Sequence, residues 1–154
     1  MNSAFRKREL TLSDYVRRRN GVAMGAPGGL RGMLHRSLGA GSFGGFWRYW
    51  NPIWGYGLGK YVFTPLKTTL PPAFALLATF VVSGALHDLA TMLVSRSAAF
   101  LFTPWFFLCG LGVLLGRAAR MDLSARTWPV RAAVNLAYLT VSLAIALLIR
   151  GYVV

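Results

Sequence analysis

"AFALLATFVVSGALHDLATMLV", residues 73–94, is long and apolar enough to cross about 30 Å of hydrocarbon, yet it carries His87 and Asp88. An ionisable residue in such a window is expensive in lipid. It therefore faces protein or a water-filled cavity, and by default it marks a functional position. Residues four apart share a helical face, so Thr79, Ser83, His87 and Thr91 form one polar stripe. Asp88 lies about 100° round the helix and is expected to support the helix end or to snorkel to the interface. The bland reading of the stripe has its hydroxyls bonding back to carbonyls one turn earlier while His87 bonds a neighbouring helix.

Two further windows, 98–116 and 132–149, carry no formal charge and are also long enough to span. With 55% hydrophobic and only 14% charged residues, and a mean hydropathy of +0.50, the 154-residue chain is too apolar for an ordinary soluble domain. The expected fold is all-α and integral to the membrane. It has about three transmembrane helices plus an irregular aromatic-rich segment with short interfacial or re-entrant helices. Of 17 Lys and Arg, eleven precede residue 68, four lie between 117 and 131, and Arg96 and Arg150 follow the first and last windows. The positive-inside rule then puts the N-terminus in the cytoplasm and the C-terminus outside, in a multi-pass protein of the inner (cytoplasmic) membrane. Basic residues interrupt the first 22 positions, so no cleavable signal peptide is expected.

A net charge of +13 invites a nucleic-acid reading, but no recognition motif accompanies it, and membrane lipid headgroups account for the bases more simply. Cys109 stands alone, with His35 and His87 the only histidines. Neither an internal disulfide nor a metal site is expected. Residues 1–41 read as a basic cytoplasmic or interfacial leader, with a short helix beginning near Ser13 as N-cap and Asp14 in its first turn. Residues 42–154 read as one membrane domain. Pro104 is expected to kink the second spanning helix, and Trp105 and Trp128 to mark interfaces.

Between the leader and the first window, residues 42–66 (SFGGFWRYWNPIWGYGLGKYVFTPL) pack nine aromatic residues into irregular-looking chain. A neutral imidazole at His87 can take a proton from a hydroxyl or amine, since desolvation disfavours the charged form. The most concentrated polar companion is Asn51 in WRYWNP, an amide donor whose plain role would be to turn or cap the chain before Pro52.

Ser42, Phe46-Trp47-Arg48, Trp50-Asn51, Tyr61-Val62 and Pro65-Leu66, followed 36 residues after Asn51 by His87, resemble the signature of the membrane-bound O-acyltransferase family. The resemblance covers only that family's C-terminal catalytic part, from about residue 13 to about residue 140, as in a truncated member. It implies that His87 is the catalytic histidine and Asn51 its partner. Trp47, Arg48, Trp50 and Ser83 would be substrate-binding. It implies acyl transfer from a thioester donor, acyl-CoA or an acyl carrier protein, onto a hydroxyl or amine, with no bound cofactor. It also implies that non-helical backbone at the depth of the aromatic segment is covered by protein or lines a cavity. A different reading is a catalytically silent structural subunit of a larger membrane complex, derived from that family. In either case a protein partner or a second copy within the membrane is expected.

Overall fold

The computed structural model describes residues 10–96 and 100–153, and among these every element is helical. Helix α1 (Leu12–Asn20) starts two residues earlier than the sequence suggests. Thr11, not Ser13, is its N-cap and accepts from the Asp14 amide. Asp14 in its first turn and Arg17, Arg18 and Arg19 in its last complement the helix dipole. The glycine-interrupted chain that follows, in a leader for which only the one short helix was expected, contains a second helix, α2 (Gly29–Leu38).

The aromatic segment is more regular than expected. It forms α3 (Phe43–Tyr49), capped by the Ser42 hydroxyl, and then α4 (Pro52–Leu58), a π turn (Gly59–Phe63) and α5 (Thr64–Thr69) in one continuous helical run. The π turn has a local cause. Pro65 supplies no N–H and its ring crowds the carbonyl four residues back, so the register widens just before it, with the Thr64 amide reaching Gly59 O.

Helices α6 (Pro72–Ser95) and α8 (Trp128–Val153) are long and apolar enough to cross a membrane. The helix between them, α7 (Phe102–Ala118), has 17 residues, about 26 Å at 1.5 Å per residue, and is shorter than the span expected from 98–116. The start of that window, like the first nine residues, lies outside the described residues. Pro104 does not kink α7. It occupies the first turn, where no N–H is required.

Helices α6 and α7 are joined at one end by Asp88, which is 1% exposed. Its carboxylate accepts from the amides of Leu101 (2.9 Å), Phe102 (2.9 Å) and Thr103 (2.8 Å) and from the Thr103 hydroxyl (2.6 Å). With Pro104 lacking an N–H, the first-turn donors of α7 are all accounted for. The snorkelling alternative for Asp88 fails because the carboxylate is needed inside, as a cap supplied from another helix. Gly84, one turn earlier, permits the approach. A Cβ there would lie 2.6 Å from Phe102 O and 2.7 Å from Thr103 Cα.

The core forms where α3 lies across α7 and α8. Phe43 and Phe46 are buried with Cys109 and Val113, and Phe43 stacks on Tyr138 with centroids 4.6 Å apart. The Trp105 indole donates to Leu139 O and so ties α7 to α8. Buried Asn135 on α8 donates to Leu38 O and Ala40 O, satisfying carbonyls at the end of α2. The Trp128 indole donates to His35 O and stacks on the His35 ring. Tyr15 of α1 meets Tyr56 of α4. Residues 10–41 are thus bound to the helices that follow them.

Candidate active site

On α6 the polar stripe divides. Thr79 and Thr91 bond back to Ala75 O and His87 O, the ordinary role of hydroxyls in an apolar helix. Ser83 does something else, while His87 bonds back in the same way but through a ring whose other nitrogen stays free of that bond. The Ser83 hydroxyl accepts from the Trp54 indole at 2.9 Å, and His87 Nδ1 lies 2.7 Å from Ser83 O. A carbonyl can only accept, so Nδ1 carries the proton, and in the neutral ring the lone pair is on Nε2. The imidazole is half-buried and boxed by rings, with Trp54 edge-on at 5.5 Å, Phe106 at 5.0 Å and Phe102 at 5.5 Å.

His87 opens onto a cavity of about 300 Å³ between α6 and the aromatic segment, whose walls include Trp47, Trp50, Asn51, Trp54 and Ser83. Five of the six sequence-derived site residues therefore meet in one place. Arg48 does not. It follows Trp47 by about 100° on α3, and it lines a separate, basic cavity with Arg36 and Arg131.

Asn51 performs its local role in full. It is the N-cap of α4, in the left-handed region at φ 41°, and its Oδ1 accepts from the Trp54 amide at 3.2 Å. With the oxygen engaged, the NH₂ group is the end left to donate, so capping and donation use different atoms of one amide.

Trp54 is the residue of this cavity that sequence reasoning undervalued. Its backbone caps on Asn51, its indole holds Ser83, and its ring abuts His87. Its spacing of three from an Asn-Pro helix start was the available signal. Phe102 and Phe106, one turn apart on α7, offered only ordinary hydrophobic periodicity. Among the described residues no group of three His, Cys, Asp or Glu is arranged to hold a metal. No protein-family model matches the chain, and neither a curated protein nor a solved structure matches it.

Proposed function

We propose that the chain is a membrane acyltransferase related to the membrane-bound O-acyltransferases, crossing the bilayer three times, with His87 as general base. His87 Nε2 removes the proton from an acceptor hydroxyl or amine as the acceptor atom attacks the carbonyl carbon of an acyl thioester. The Asn51 NH₂ donates to the oxygen that becomes negative in the tetrahedral intermediate. Collapse breaks the C–S bond, and the thiolate leaves with the proton held on Nε2. The observation that carries the reading is the imidazole itself. It is fixed through Nδ1 on Ser83 O, walled by aromatic rings, and opens into the cavity that Asn51 also lines.

The non-enzymatic reading, a subunit that packs against a larger membrane assembly, draws support from the outer face of α4 and the π turn. Ile53 is 52% exposed and Tyr61 71%, which suits a covering partner. A labelled acyl thioester supplied to membranes carrying equal amounts of wild-type chain and His87→Ala separates the two. The proposed chemistry requires label transfer to fall by about two to four orders of magnitude in the variant. Equal labelling removes the enzyme reading.

A further inference from the structure

The second cavity, of about 460 Å³, lies where the C-terminal end of α2, the helix α3, the 119–127 loop and the first turn of α8 converge. It is remote in chemistry from the His87 cavity. Three arginines from three different helices line it: Arg36 on α2, Arg48 on α3 and Arg131 on α8. Asp122 is the single acid on its wall, and its carboxylate is already engaged by the Ser124 amide at 2.8 Å. The Ser124 hydroxyl and amide hold that carboxyl below the usual carboxylate range, so at neutral pH one negative charge stands against three positive ones. Among the described residues none of the three arginines has an acidic partner. Arg131 Nε is moreover buried without any hydrogen-bond partner, a donor whose desolvation goes uncompensated in the protein alone. The positive end of the 26-residue helix α8 adds to the field at the same place.

We infer that this cavity is a binding site for a phosphate group, with Arg36, Arg48 and Arg131 as its ligands. Forked guanidinium donors from separate helices suit the several oxygens of a phosphate better than a single carboxylate. The volume admits the ester it belongs to. The site lies where the apolar helices α7 and α8 meet their basic connecting loop, so two sources share this chemistry, an anionic phospholipid headgroup and a soluble phosphate ester. The inference does not depend on acyl transfer, and its test reads binding.

The test uses native mass spectrometry of the full chain in mild detergent, titrated with phosphatidylglycerol, with zwitterionic phosphatidylcholine, or with inorganic pyrophosphate. Wild type is expected to retain one phosphatidylglycerol or one pyrophosphate in preference to phosphatidylcholine. The double variant Arg36→Gln/Arg48→Gln should bind about tenfold more weakly. Both side chains are exposed, so the variant keeps its fold. Arg17→Gln/Arg18→Gln removes the same charge at exposed positions on α1, which contributes nothing to the cavity wall, and should leave affinity within about twofold. Retention of the lipid that pyrophosphate does not displace identifies the headgroup as the source, and tight pyrophosphate binding identifies a soluble ester. Unchanged affinity in the cavity variant, or an equal loss in the control, overturns the site.

Discussion

Asn51 combines two roles that substitution can separate. Aspartate keeps an oxygen for the Trp54 amide and tolerates the left-handed backbone, but it has no NH₂ to donate. Under the proposed mechanism Asn51→Asp should leave thermal stability within about 0.5 kcal/mol while lowering acyl transfer by about a hundredfold. Asn51→Ala loses both functions, and a further 1–2 kcal/mol or so of stability should go with the cap and the strained φ. Melting curves and thioester turnover measured on the same two preparations check this. Turnover unchanged in the aspartate variant would reduce Asn51 to a cap.

At the scale of elements, Ser83-Gly84-Ala85-Leu86-His87-Asp88 works as a joint. Ser83 holds the aromatic segment through Trp54, Gly84 admits the α7 backbone, His87 faces the cavity and Asp88 caps α7. Asp88→Ala leaves three amides and a hydroxyl in a buried place without their charged acceptor. It should cost about 3 kcal/mol or more, read as a lowered melting temperature in detergent. Gly84→Ala meets backbone atoms, which cannot swing aside as a flexible side chain would. A loss of about 1–3 kcal/mol is expected, with the tryptophan fluorescence near Trp105 shifting as α7 is displaced. A silent Gly84→Ala would mean that the two helices approach less closely.

For the molecule as a whole, the outward faces of the three long helices are apolar, with Leu93 73%, Leu115 67% and Leu148 64% exposed, as suits contact with lipid. The proposed topology places reporters fused at Arg96 and after Val154 both on the outer face, following the excess of basic residues before residue 68 and between 117 and 131. A cytoplasmic signal at Arg96 would invert α6 and the depth of His87 with it. Residues 10–41 are held to this body by Asn135 and Trp128. Asn135→Leu should therefore free the end of α2 at a cost of about 2 kcal/mol, visible as faster hydrogen exchange in residues 29–40 ahead of global unfolding.

The helical class and the apolar helices around His87 and 132–149 were legible in the sequence. Hydropathy, helical periodicity and the cost of an ionisable group in an apolar window are properties of consecutive residues. The helix α2 was not legible, because seven glycines before residue 42 weaken any local signal and its end is satisfied from α8, some hundred residues later. Nor could local rules find the role of Asp88, whose partners are the amides of another helix, or part Arg48 from Trp47, its neighbour in the chain. One step along α3 turns a side chain by about 100°, and only the placement of α6, α7 and α8 around α3 decides that Trp47 meets the His87 cavity while Arg48 meets Arg36 and Arg131.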